Sequence, residues 1–182
     1  MKNTRIIDLL RTFPTRERTR FKHYVHSPFF NKHSKLKALC DYLLKYAPDF
    51  EHENLEKTNV FKALYGSKTY NENKLNNLIS DLLQLLYDYL SYYRFEKQPA
   101  WQKQLLIEEL LQREAFRHVE KNARKLKQWQ EQSTERSYGY YQVAYQFYEQ
   151  LDYYELSRVG KRFNENLQLE SDHLDLFFIC NK

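Results

Sequence analysis

The stretch SKTYNENKLNNLISDLLQLLYDYLSYYRF, Ser67 to Phe95, decides the fold class. Leu75, Leu78, Leu82, Leu85 and Tyr89 recur at steps of three and four, the spacing of one helix face. Ile79, Leu83, Leu86 and Leu90 make a second, adjoining stripe. A helix apolar over so wide an arc needs neighbours on two sides, which predicts the central helix of a bundle. Asn71 is the expected N-cap, with Tyr70 stapled onto Leu75 across the first turn.

The flanks supply the neighbours. LEKTNVFKALYG, Leu55 to Gly66, predicts a short helix that Gly66 ends by taking a left-handed conformation. Upstream, Ile6, Leu9, Leu10 and Phe13 predict a helix over Thr4 to Phe13, which Pro14 ends. Thr15 is the expected cap of a second helix, Arg16 to His26, that buries Phe21, Tyr24 and Val25. Asn31 or Ser34 caps a third, carrying Leu36, Leu39, Cys40, Leu43 and Leu44 and stopping before Pro48. Phe29 and Phe30, between the second and third helices, are expected to plug the open end of that hairpin.

The strings HSPFFNK (26–32), LCDYLLKYAPDF (39–50) and YNENKLNNLISDLLQLL (70–86) resemble the N-terminal part of a group of uncharacterised, all-helical bacterial proteins. The resemblance covers roughly the first half of the chain. It implies a helical fold and brings no catalytic residues with it.

Composition agrees with a helical reading. Three glycines and four prolines in 182 residues leave little room for the turns of a β protein. Sixteen tyrosines and twelve phenylalanines suit half-exposed helix faces, where a ring is buried and a hydroxyl stays wet. The opening MKNTRIIDLLRTF has no apolar core and no small-residue cleavage site, so it does not read as a signal peptide. No apolar run reaches membrane-spanning length. Cys40 and Cys180 form no motif, and two reduced thiols point to a cytoplasmic protein.

Pro99 marks the expected boundary between an N-terminal helical bundle, 1–98, and a second domain, 99–182. The second domain repeats itself. LIEELLQREAFRHVEKNARKL (106–126) aligns with VAYQFYEQLDYYELSRVGKRF (143–163) at a shift of 37 residues. Leu106 falls on Val143, Leu110 on Phe147, Phe116 on Tyr153, Val119 on Leu156, Ala123 on Gly160 and Leu126 on Phe163. Each unit is expected to be a helical hairpin, turning near 114–116 and 151–153, and stacked hairpins of this length make an α-solenoid. The spacing is similar to that of tetratricopeptide repeats, although the glycine of their first helix is replaced by Ile107 and Ala144 and their closing proline is missing. The expected fold is therefore all-α, a bundle followed by a TPR-like array. The apolar ending HLDLFFICNK, 173–182, suggests that the natural chain continues and that this end favours self-association.

Tyr138, Tyr141, Tyr145 and Tyr148 fall on one stripe. Two readings remain open for it: a peptide-binding groove, or a face that packs within the protein. The charge of the chain is asymmetric. Residues 1–45 hold 11 Lys/Arg against 3 Asp/Glu, and the remainder 18 against 21. Arg16, Arg18, Arg20 and Lys22 are the candidates for nucleic-acid contact. Residues 57–91 have the outline of a helix–turn–helix, but the exposed start of its second helix, Glu72, Asn73, Lys74, Asn76 and Asn77, is nearly neutral.

His23, His26, His33 and Cys40 do not have the spacing of a zinc site, and their surroundings are basic. They read as solvated or capping groups. No phosphate loop, HExxH or nucleophile elbow is present, and Glu108, Glu109 and Glu114 read as a solvated face. The expected function is non-catalytic binding of a protein or peptide, with no metal and no cofactor. The alternative is nucleic-acid binding or regulation through the basic N-terminal helices.

Overall fold

The computed structural model describes residues 3–66, 69–134, 136–159 and 165–180. Nine α-helices run through them: α1 (Arg5–Thr12), α2 (Thr15–His26), α3 (Ser34–Leu44), α4 (Lys57–Tyr65), α5 (Glu72–Glu96), α6 (Pro99–Gln112), α7 (Phe116–Gln132), α8 (Tyr138–Val159) and α9 (Glu165–Cys180). A single 3-10 turn, Glu53–Leu55, precedes α4, and there is no strand among the described residues. The protein is all-α. None of these helices is long and apolar enough to cross a membrane. The chain divides into two compact units, Met1–Tyr93 and Arg94–Lys182.

The first unit is built around α5. Leu75, Leu78, Leu82, Leu85 and Tyr89 are all buried, as are Ile79 and Leu86 of the second stripe. The helix reaches its neighbours through long side chains: Tyr89 packs on Phe21 at 5.4 Å and on Phe13 at 6.0 Å between ring centres. Its start follows the expected cap, with the Lys74 N–H donating to Asn71 Oδ1 at 2.9 Å. Tyr70 sets its ring edge-on to Phe61 of α4. Gly66 closes α4 at φ +73°, its N–H donating to the Lys62 carbonyl at 2.8 Å.

Three local expectations are corrected. Pro14, not Thr15, is the cap residue of α2, because the chain there is still extended and Thr15 already belongs to the helix. Neither Asn31 nor Ser34 caps α3; the His33 ring does, its Nδ1 accepting from the Lys35 N–H at 3.1 Å and the Leu36 N–H at 3.3 Å. Asn31 is instead buried in the turn, where its Nδ2 donates to the Val25 carbonyl and its Oδ1 accepts from the His33 N–H. Finally, the Phe29–Phe30 plug is half right. Phe30 stacks on Tyr24 at 4.1 Å and leans on Tyr92. Phe29 is 85% exposed, because Phe30 has already filled the gap and leaves the adjacent ring only its edge to touch.

In the second unit α6 and α7 form a helical hairpin. Its turn lies where the repeat predicts. The Ala115 N–H reaches back to the Leu110 carbonyl and the Glu114 N–H to that of Leu111, both at 2.9 Å. This is a Schellman closure, with Glu114 holding the left-handed position at φ +55°.

The second predicted hairpin is absent. α8 continues without interruption through 151–153. Matching side-chain volume does not specify a chain reversal, and Leu151, Asp152 and Tyr153 all tolerate helix. Continuing the helix also carries Tyr154 onto α7, where its hydroxyl donates to Glu120 Oε1 at 2.8 Å and its ring meets Phe116. The aligned positions differ in burial as well: Leu106 and Leu156 are exposed where Val143 and Val119 are buried. Gly160 and Phe163, two further partners in that alignment, lie outside the described residues. α8 lies beside both α6 and α7, and α9 runs along α8.

Candidate functional site

The tyrosine stripe of α8 faces α9. Tyr138 meets Phe177 at 4.5 Å between ring centres and Tyr141 meets His173 at 6.0 Å. Tyr148 stacks flat on His173 at 5.3 Å and is buried. Tyr145 points its hydroxyl to Glu149 Oε1 at 3.4 Å. Three of the four rings therefore hold α9 on α8. Burial, with Asp172 opposing and Arg136 assisting, moves the His173 imidazole below its ordinary pKa of 6.5.

The four basic candidates of α2 do not form one free cationic surface. Lys22 Nζ lies 3.0 Å from Asp41 Oδ1, and His26 Nε2 lies 3.1 Å from the same carboxylate. Burial alone would raise the Asp41 pKa. The hydrogen bonds from Lys22 and His26 outweigh it and hold the carboxyl below its usual range. Arg20 lies over the Tyr93 ring at 5.1 Å, and Arg18 donates to Thr15 Oγ1 at 3.2 Å. Arg16 is exposed.

Of the histidine–cysteine group, His33 is a helix cap and His26 an acid's partner. Cys40 is a core residue whose thiol burial pushes up to about 12. Among the described residues no three metal-binding groups converge.

A different site emerges between α6 and α8. Gln104, Glu108, Leu111 and Gln112 share one face of α6, at helical spacing. Gln146, Glu149, Gln150 and Tyr153 share one face of α8. Because α8 lies beside α6, the two faces become the walls of an open channel of about 680 Å³, and Glu114 and Phe116 of the α6–α7 turn line it as well.

Gln104 is the central group. It is only 3% exposed, and its Nε2 donates to Gln146 Oε1 at 2.8 Å across the two helices. Its own Oε1 is buried and meets no hydrogen-bond donor among the described residues, and the same is true of Gln150 Oε1. A buried carbonyl oxygen without a donor costs about 1–3 kcal/mol, so a donor brought to either acceptor from the channel would be stabilising.

Sequence reasoning missed this site. Glu108 and Glu114 were assigned to a solvated face, and only their positions on a channel wall distinguish them from one. The available signal was the row of glutamines and a glutamate at 104, 108 and 112, matched by 146 and 150 on the next long helix.

Comparison of the chain with protein-family models, with curated proteins and with solved structures finds no match.

Proposed function

We propose that the chain is a non-catalytic helical scaffold that binds a segment of another protein in the channel between α6 and α8. The observation that carries this reading is the buried, donorless Oε1 of Gln104 on the channel wall. Peptides are rich in N–H donors, and a row of amide side chains is suited to receive them. A TPR-like array belongs to the same proposal, and it is supported by α6 and α8, each the first helix of a pair, lying side by side and lining one channel. Cytoplasmic residence belongs to the same proposal and rests on two free cysteines.

A panning experiment tests the reading. Random dodecapeptides displayed on phage are selected on the immobilised full chain, and enriched sequences are synthesised and titrated into the isotopically labelled protein. Binding that shifts the side-chain amide signals of Gln104, Gln146 and Gln150 is the expected result. Enriched peptides that leave those signals in place, or a library that yields none, would remove the proposal. Nucleic-acid binding by α2 is the rival. It is weakened by the pairing of Lys22 with Asp41 and the seating of Arg20 on Tyr93. Retention on DNA or RNA that Arg16→Glu abolishes would restore it.

A further inference from the structure

We infer that the segment received by this channel is cationic, with arginine or lysine side chains entering between α6 and α8. The inference rests on the channel being a binding site, and it concerns what the site selects.

Among the described residues the channel lining contains three carboxylates, Glu108, Glu114 and Glu149, and no lysine or arginine. Arg113, the residue that follows α6, pairs with Glu109, its Nε 2.6 Å from Oε1. Among the described residues Glu108 and Glu114 meet no cation, and the contact recorded for Glu149 is the Tyr145 hydroxyl. Negative charge therefore gathers along the channel, from Glu108 and Glu114 on the α6 side and Glu149 on α8. It is felt by neighbouring groups. Burial first, then Glu149 and Asp152, raise the Glu170 carboxyl, and burial, Glu149 and Glu170 raise the Tyr145 phenol.

Carboxylates alone would describe a solvated helix face. Two further features set this one apart. The first is the pair of buried acceptors, Gln104 Oε1 and Gln150 Oε1, at the same channel, which a neutral apolar ligand would leave without a donor. The second is aromatic: Phe116 and the 64% exposed Tyr153 present rings to the channel. A guanidinium or ammonium group matches all three elements at once. It pairs with carboxylates, donates several hydrogen bonds to amide oxygens and rests on aromatic faces. An acidic segment would be repelled, and a purely apolar one would offer the acceptors only its backbone N–H groups and leave the carboxylates unpaired.

The test uses fluorescence anisotropy with the full chain and three labelled nonapeptides of equal length, in which alanine alternates with arginine, glutamine or glutamate. The arginine peptide is expected to bind at least tenfold more tightly than the glutamine peptide, with the glutamate peptide weakest. Raising sodium chloride from 50 to 200 mM should weaken the arginine peptide several-fold. Glu108→Lys and Glu149→Lys, both exposed positions, should each reduce its affinity at least fivefold with an unchanged thermal midpoint.

Gln104→Leu should weaken the arginine and glutamine peptides alike. Equal binding of those two peptides, both lost in Gln104→Leu, would overturn the cationic preference and leave the scaffold reading intact. Arginine-peptide binding indifferent to Glu108→Lys, Glu149→Lys and Gln104→Leu would place the interaction elsewhere and overturn the inference. No binding by any of the three peptides would remove both. Spermine displacing the arginine peptide at equal charge concentration would reassign the channel to free polyamines and overturn the assignment to a polypeptide.

Discussion

Both units pack aromatic rings into a core, but they differ in what else they bury. In the first, rings close a core. Phe13, Phe21 and Tyr89 meet one another between α1, α2 and α5, and fully buried side chains run from Ile6 to Leu86. In the second, polar groups reach the interior. Gln104 and Gln130 are buried with atoms that find no partner among the described residues, as is the Nδ1 of His173, and α9 contains no buried residue. A closed apolar core has no vacancy for a partner. A stack of helices with buried, unsatisfied amides does, because a ligand's donors gain there what the folded chain leaves unmade.

The cysteines give the sharpest contrast, since each unit holds one. Cys40 is 1% exposed and its thiol is pushed up to about 12, whereas Cys180 is exposed on α9. Burial thus leaves almost no Cys40 thiolate at pH 8, and the same burial keeps a reagent from the sulfur. A chromogenic disulfide reagent should therefore modify one thiol at once. The second should follow only as fast as the first unit opens. Two equally fast thiols would break the comparison at its root.

Core truncation should separate the units in energy. Phe21 is fully buried, and Phe21→Ala should cost about 3–5 kcal/mol in chemical denaturation. Tyr141→Ala and Tyr145→Ala in α8 remove half-buried rings and should cost about 1–2 kcal/mol each, with effects concentrated in α9. Loss of stability in the tyrosine variants with peptide binding retained would tie the stripe to α9. The reverse pattern would make it a binding surface.

A smaller effect separates the units by pH. The folded pKa of His173 lies below its unfolded value, so the imidazole is neutral in the packed α8–α9 pair. Stability from this group is complete above about pH 6.5 and declines as the pH falls toward its folded pKa, where the unfolded chain takes up the proton first. Glu170 opposes it, because a carboxyl with a raised folded pKa stabilises the pair as the pH falls. Between pH 6.5 and 5.5, the protection factors of the α9 amides, which divide out the slower intrinsic exchange at lower pH, should fall in the wild type. In His173→Phe they should hold or rise, because Glu170 then acts unopposed, while α5 changes in neither. Parallel changes in α5 and α9 would count against two separately stabilised units.

The sequence exposed the elements because their punctuation is chemical. Pro14, Gly66, Asn71 and Pro99 each force a local conformation, and each marks an observed helix end or start. It misplaced the second hairpin because side-chain volume carries no instruction to reverse the chain, whereas a Schellman closure does. It overlooked the channel because Gln104, Glu108 and Gln112 look the same on a solvated face as on a channel wall. Only the neighbouring helix, placed by tertiary packing, tells them apart. Phe29 shows the same limit, since the space it was to fill is taken by Phe30.

Glu114 joins the fold to the proposed site, and substituting it should move the two in opposite directions. Its φ of +55° is a conformation that an L side chain adopts at a cost of roughly 1–2 kcal/mol, and glycine adopts freely. Glycine also raises the entropy of the unfolded chain, which takes back roughly 0.5–1 kcal/mol. Glu114→Gly should thus raise the stability of the α6–α7 hairpin by about 0.5–1 kcal/mol, read as a higher denaturation midpoint at unchanged slope. The same substitution removes one of the channel's three carboxylates, so the arginine peptide should bind a few-fold less tightly. Glu114→Gln separates the contributions, because it keeps the strained backbone and removes only the charge: affinity should fall with stability unchanged. A glycine variant less stable than the wild type would mean that the Glu114 side chain holds the turn through contacts worth more than its backbone strain.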